Sequence, residues 1–344
     1  MKKSTSILNR VVYAINILIA FLLLVTCLSS YLSFQILPLF SALSLFVPFL
    51  FILNMLFLGY WVAKRKRKLW VSLIALLIGY FGFGPFYKMG DEAGEPLSSS
   101  LKVMTYNVWG FNKYGWMKDP NIGDRIISFV KENDPDILCI QEHSRIRYRQ
   151  LDQYPYRSET PYETPRSIQA IFSKYPILGN GSLDLPETAN NIIYADILYM
   201  SDTIRVYNLH LQSFSIIPRA ETLSDGDESE KNYKRLVRTF AKQLEQAKIF
   251  AEHMENSPYP NIVCGDFNNT QFSNVFKIVK GDMQDSFLER GKGFGRTYNL
   301  FGFPIRIDYI LADSDFEILA HQNFNDKLSD HYPVMATLQR KSDQ

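Results

Sequence analysis

Asp266 and Asn268 close the stretch Asn261-Ile-Val-Cys-Gly-Asp-Phe-Asn268, whose apolar run breaks at Gly265 into two polar residues one position apart. A short apolar run bounded by a turn residue predicts a buried strand. Side chains at i and i+2 of an extended segment share a face, so a carboxylate and an amide project together from the strand's end. Strand ends are where α/β folds keep their active groups. Taken alone, the pattern also describes an ordinary Asx turn. Similar ends recur along the chain: Asn107 after the strand Lys102-Val-Met-Thr-Tyr106, Glu142 after Asp136-Ile-Leu-Cys-Ile140, His210 after residues 203–209, Asp308 within 305–311, and Asp330-His331 before 332–338. Carboxylates and amides in such numbers suit a hard divalent cation and the oxygens of a phosphate. Two histidines, each able to pair with a carboxylate, suit proton transfer to and from a phosphodiester.

Alternating helices and strands must carry these residues. Helical periodicity predicts helices over 121–132 and 229–256 and a short one near 272–279, with further strands at 168–173, 192–198 and 316–319. Residues 101–340 therefore form an α/β domain, without internal repeats.

In order, Thr105-Tyr-Asn-Val-Trp-Gly110, Asp136-Ile-Leu-Cys-Ile-Gln-Glu142, Asn208-Leu-His-Leu211, Cys264-Gly-Asp-Phe-Asn268, Arg306-Ile-Asp-Tyr-Ile-Leu311 and Leu328-Ser-Asp-His-Tyr-Pro-Val334 resemble the successive motifs of the endonuclease/exonuclease/phosphatase superfamily. That superfamily includes pancreatic-type deoxyribonucleases, abasic-site endonucleases, inositol-polyphosphate phosphatases and neutral sphingomyelinases. The resemblance covers residues 101–340. It implies a four-layer α/β/β/α sandwich, two packed mixed β-sheets flanked by helices, and Mg2+- or Mn2+-dependent hydrolysis of a phosphate ester. By the same resemblance Glu142 is the principal metal-binding carboxylate, with Asn107 beside it and Asp330 as a further metal contact. Asp266 binds metal or positions the attacking water, and Asn268 holds a phosphate oxygen. His331 is the general base or stabilises the pentacovalent phosphorus, oriented by Asp308, and His210 protonates the leaving oxygen or steadies the transition-state charge.

The first hundred residues are of another kind. No Asp, Glu, Lys or Arg occurs from Val11 to Ala63, far beyond the roughly 20 residues that one membrane span needs. Residues 1–88 are expected to form an anchor of three spans, at about 11–31, 40–61 and 69–87, with a linker at 89–100. Lys2, Lys3 and Arg10 precede the first span and Lys64-Arg-Lys-Arg-Lys68 follows the second, so the positive-inside rule sets residues after the third outside the cytoplasm. Residues 1–100 hold nine Lys and Arg against three Asp and Glu, leaving 28 against 32 in residues 101–344. The chain's basicity thus belongs to the anchor and argues for no nucleic-acid surface. Cys27, Cys139 and Cys264 make no disulfide framework. The expectation is a multi-pass protein of the cell (inner) membrane acting on a nucleic acid or phospholipid-like ester, with no obligate protein partner. Phosphomonoester hydrolysis, a silent binding protein on the same fold, and a transporter or sensor centred on the spans are the alternatives. The absence of ionisable groups in residues 11–63 weighs against transport.

Overall fold

Successive side chains of a strand point to opposite faces, and in β1 (Leu101–Asn107) and β2 (Ile137–Gln141) both faces are apolar. Val103, Ile137 and Cys139 enter one buried cluster, while Met104, Tyr106, Leu138 and Ile140 enter another. A sheet buried on both sides must lie between two layers. This computed structural model describes residues 7–31, 43–90, 100–163, 167–214, 226–300 and 302–341.

The first sheet runs β13 (Phe316–Asn323), β14 (Val334–Arg340), β1, β2, β4 (Ala170–Ser173), β3 (Tyr156–Glu159). The second runs β5 (Ile177–Ser182), β6 (Asn191–Tyr199), β7 (Asp202–His210), β8 (Asn261–Asp266), β12 (Asp308–Ala312), β9 (Gln284–Asp285). Both are mixed: β1/β2 and β7/β8 are parallel, and the other pairs antiparallel. The sheets face each other across Val103, Ile137, Ile193, Val206, Ile262 and Ile310. Helix α4 (Ile122–Asn133) covers the first sheet, burying Ile126, Ile127, Phe129 and Val130. Helices α5 (Gly226–Glu255) and α6 (Asn274–Lys280) cover the second, through Leu244, Phe250 and Phe276. A short α7 (Ser286–Arg290) follows β9, and a hairpin, β10 (Tyr298–Leu300) and β11 (Phe303–Ile305), precedes β12. The four-layer α/β/β/α sandwich is the expected fold. The edge strands β3, β5 and β9, helix α7 and the hairpin had no sequence signal, being short and only half apolar.

The apolar N-terminal region folds into helices α1 (Ile7–Ser29), α2 (Val47–Ala63) and α3 (Leu69–Phe83). Two helices, Ile7–Ser29 and Ser44–Ala63 with its leading 3-10 turn, are long and apolar enough to cross a membrane. Helix α3 ends at Phe83 rather than near residue 87, because Gly84 turns into the left-handed region at φ 75° and Pro85 follows. Lys2, Lys3, most of the linker and the connection near 33–38 lie outside the described residues.

Candidate active site

Register places three site residues side by side. His210 pairs with Asp266 across the parallel β7/β8 ladder, and Asp266 with Asp308 across the antiparallel β8/β12 ladder. The close approach at Gly265 is obligatory: a Cβ there would lie 2.0 Å from the Leu209 carbonyl oxygen. From the facing sheet, the ends of β1 and β2 bring Asn107 and Glu142. Asn107 Nδ2 donates to Glu142 Oε1 at 3.3 Å and to Asp266 Oδ2 at 3.1 Å, joining the two sheets. Asn107 itself is held by the Trp109 N–H on its Oδ1 (3.1 Å), while the Gly110 N–H donates to the Glu142 carbonyl (2.9 Å). That turn runs left-handed through Trp109, Gly110, Phe111 and Asn112, with φ between 45° and 63°, and Glu142 and Asn268 share the conformation. Non-glycine residues at positive φ each cost about 1–3 kcal/mol and gather at functional sites.

His331 Nδ1 meets Asp308 Oδ2 at 2.9 Å and Oδ1 at 3.1 Å, and His331 Nε2 lies 3.6 Å from Asp266 Oδ2. Burial alone would lower the His331 pKa, but Asp308, Asp266 and Asp330 together raise it well above the usual imidazole value. His210 is the opposite case. It is buried, its ring nitrogens have no hydrogen-bond partner, and desolvation outweighs Asp266 to hold its pKa down. Its Nε2 is 3.7 Å from Asp266 Oδ2 and 3.9 Å from Glu142 Oε1, so a neutral imidazole faces the carboxylates. Burial raises the Asp266 carboxyl, with Asp308 adding to it against His331 and His210. Burial and Asp330 raise Glu142. Asn268 Nδ2 donates to Asp266 Oδ2 (3.2 Å) and to the Leu211 carbonyl (3.0 Å), and Asp330 accepts from Ser329 Oγ (3.1 Å). Thus all eight expected residues converge.

This concentration of oxygen donors, Asp266 and Asp308 being nearly inaccessible, fits a hard divalent cation. Asp266, Asp308 and His331 bring donor atoms within 4.8 Å of one another. Since Asp308 already engages His331, the Asn107 amide bridging Glu142 and Asp266 marks the better seat: its N–H groups supply the positive end that a cation would replace.

A profile of the Endonuclease/Exonuclease/phosphatase family matches residues 104–331. The chain belongs to that family. As a member it is a hydrolase of phosphate ester bonds. A second profile, a domain of unknown function (DUF8431), matches residues 9–86. No curated protein matches the chain. Among solved structures, humanized D. rerio TDP2 aligns with TM-score 0.53 and 16% identity over 70% of this chain and 100% of its own. The endonuclease/exonuclease/phosphatase from Beutenbergia cavernae aligns with TM-score 0.55 and 16% identity over 70% and 72%. The human Nocturnin catalytic domain with bound sulfate anion aligns with TM-score 0.53 and 15% identity over 72% and 96%. At these identities the likeness is one of fold.

In this family member four residues that sequence reasoning passed over set the site's frame. Asn208 staples the sheets: its Nδ2 donates to the carbonyls of Ile140 (2.9 Å) and Ala170 (3.0 Å), and its Oδ1 accepts from Gln141 (2.7 Å). Its signal was available, since Asn208 and His210 stand at i and i+2. Ser329 Oγ donates to the Asn107 carbonyl (2.8 Å) and accepts from the His331 N–H (3.3 Å). Thr297 and Tyr298, described below, come from the hairpin region and left no local pattern.

Proposed function

We propose that this enzyme is a membrane-anchored, divalent-metal-dependent phosphodiesterase whose catalytic domain lies outside the cytoplasm. The observation that carries the chemistry is the meeting of His210, Asp266, Asp308 and His331 with Asn107 and Glu142 between two sheet ends. Glu142, Asp266 and Asp330 would hold Mg2+ or Mn2+ through carboxylate oxygens, and Asn107 through its Oδ1, the ion taking over the two carboxylates from the Asn107 N–H groups. Bound there, the ion neutralises phosphate charge and lowers the pKa of water. Asp308 fixes the His331 ring and sustains its charge, so that Nε2 faces the cleft as a cation for the negative charge growing on phosphorus. Neutral His210 and the Asn268 amide donate hydrogen bonds to phosphate oxygens, steadying the charge that develops in the transition state. Asp266 directs the attacking water.

Anchoring is supported by the outward apolar surface of the bundle: Leu18, Phe21, Leu56 and Phe81 are exposed, while Asn16, Asn54 and Ser72 are buried. Orientation is supported by the two ends of the bundle. Lys68 lies over Tyr13 (4.1 Å) beside Asn9, whereas Ser30, Ser44 and Gly82 meet the catalytic domain at the other end. The basic end is therefore the one suited to the cytoplasm.

The test is turnover of bis(p-nitrophenyl) phosphate, p-nitrophenyl phosphate, plasmid DNA and phospholipid vesicles by the full chain in bilayers. Diester hydrolysis abolished by EDTA and restored by Mg2+ or Mn2+ is expected. EDTA-insensitive turnover, or preference for the monoester, overturns the reading. A reporter after Ser100 active only in the cytoplasm overturns the orientation.

A further inference from the structure

Two residues of the hairpin region touch the catalytic pair from outside. The Thr297 hydroxyl is buried and accepts from the backbone N–H of both Ile307 (3.0 Å) and Asp308 (3.1 Å), and its carbonyl accepts from the Tyr332 N–H (2.7 Å). The residue therefore joins the chain just before Asp308 to the chain just after His331. Tyr298 forms an antiparallel bridge with His331, and its ring sits 5.0 Å from the imidazole at 52°.

The far end of the same hairpin rests on the helical bundle. Phe303, opposite Leu300 in the hairpin, packs on Phe49 in the first turn of α2, with ring centroids 4.2 Å apart. The seam continues on the other strand ends of the site. Thr270, two residues beyond Asn268, donates to the Ser44 carbonyl (3.1 Å). Gln271 donates to the Pro85 carbonyl (3.2 Å) and accepts from Arg306, two residues before Asp308 (3.2 Å from Nε). Phe272 packs on Phe83 at 5.3 Å, and Lys277 donates to Ser30 Oγ at 2.7 Å. A tether needs none of these contacts, and their segments flank Asn268, Asp308 and His331.

We propose that Thr297, Tyr298 and Phe303 are positioning residues for the His331–Asp308 pair, and that the helical bundle holds them, making it a working part of the active site. The inference rests on the phosphodiesterase reading above. Loss of the Phe49–Phe303 contact frees the hairpin, and a shift of the imidazole by a fraction of its hydrogen-bond length removes alignment without removing any group.

The experiment uses the full chain in phospholipid bilayers with bis(p-nitrophenyl) phosphate, a soluble substrate, so that lipid delivery plays no part. Phe49→Ala and Phe303→Ala are each expected to lower kcat about tenfold with KM little changed. Because they break one contact, the double variant should be no worse than the poorer single. Phe303→Leu, which keeps apolar volume, should recover most of the rate, as should Thr297→Ser relative to Thr297→Val. Trp70→Ala, exposed at the basic end of the bundle, should turn over as wild type. Unchanged kcat in Phe49→Ala and Phe303→Ala beside an active wild type overturns this proposal and leaves the phosphodiesterase reading standing. An equal loss in Trp70→Ala also overturns it. Absence of EDTA-sensitive turnover in wild type overturns the phosphodiesterase reading and this inference with it.

Discussion

In the sandwich, apolar side chains such as Val103, Ile137 and Ile262 fill the interior, and at one end a cluster of buried ionisable groups, Asp266, Asp308, His210 and His331, meets. In the bundle the arrangement is inverted. Phe81 is 80% exposed and Leu56 65%, while Asn16, Asn54 and Ser72 are fully enclosed. Under the proposed anchoring, the two regions are set against different surroundings, water for the sandwich and lipid for the bundle. Water drives apolar groups inward; a lipid exterior gives no such drive and leaves packing and polar contacts to hold helices together. Burial of a polar side chain therefore serves adhesion in the bundle, at Asn16, whereas in the sandwich it serves both chemistry, at Asp266 and His331, and adhesion, at Asn208.

The sharpest way to break the contrast is at His331. Loss of the imidazole in His331→Ala should cost ~10²–10⁴-fold in kcat. Asp308→Asn, which leaves the ring present but poorly held, should cost less. Acting as a unit, the double variant should be little worse than His331→Ala. If the two losses multiply, Asp308 and His331 work independently and the pairing fails. Next is Glu142→Gln, nearly the same shape without charge. Turnover should fall by about 10²-fold and recover in part at raised Mg2+, with thermal stability unchanged. A Mg2+ titration superimposable on wild type would place the metal elsewhere.

How far sequence reached differs between the regions for physical reasons. The site was legible because its residues stand at or beside strand termini, Asn107, His210 and Asp266 ending theirs and Asp308 beginning its own, within short motifs whose order resembles the family's. The resemblance to the family then assigned them to one site. The apolar runs were legible through composition. What no local pattern carries is docking: Phe49 against Phe303 and Lys277 against Ser30 join residues more than two hundred positions apart. Thr297 escaped for the same reason, since its partners are backbone groups of Ile307, Asp308 and Tyr332 that any sequence offers.

A matched pair of charges tests the inversion directly. Leu18, 55% exposed at the middle of α1, and Ile146, 86% exposed on the sandwich, look alike by exposure. Leu18→Asp should cost about 3 kcal/mol of membrane insertion, seen as protein released by alkaline extraction. Ile146→Asp should change the sandwich's stability by less than about 0.5 kcal/mol. Equal tolerance of both would mean that the bundle, too, faces water.

Acid should separate the regions more gently. Residues 11–63 carry no Asp, Glu, Lys or Arg, whereas the sandwich holds His321, whose ring nitrogens meet Ser286 Oγ (2.9 Å) and Asn323 Oδ1 (3.1 Å). Burial, opposed by Asp285 and assisted by Arg306, lowers its pKa to about 4. The unfolded chain, at about 6.5, takes up the proton first, so stability present above that value is lost as pH falls toward 4. The loss should reach about 1–2 kcal/mol by pH 5. It should shrink in His321→Gln, followed by near-ultraviolet dichroism, while the helical signal of the bundle persists. If both signals fall together, the two regions unfold as one.

The smallest effect tests adhesion. Asn16 of α1 donates to Ser72 Oγ of α3 (2.6 Å) and accepts from the Trp61 indole N–H of α2 (2.8 Å), so one amide ties three helices. Asn208 performs a comparable task between the two sheets. Asn208→Leu would take from the Ile140 and Ala170 carbonyls their Asn208 donor in a dry core, while the Gln141 amide keeps Thr105 Oγ1 at 3.0 Å, at about 3 kcal/mol, because each carbonyl that loses its donor could otherwise have bonded to water in the unfolded chain. Asn16→Leu strands Ser72 and Trp61 in the same way. For helices that separate within lipid, however, the unfolded reference offers no water to regain, and serine can turn back on its own helix. Measured values for such contacts average about 0.6 kcal/mol. Asn16→Leu should therefore cost about 1 kcal/mol in helix association and leave diester turnover within twofold of wild type. A loss as large as that of Asn208→Leu would show water at Asn16, and the bundle would have to be read as an ordinary packed core.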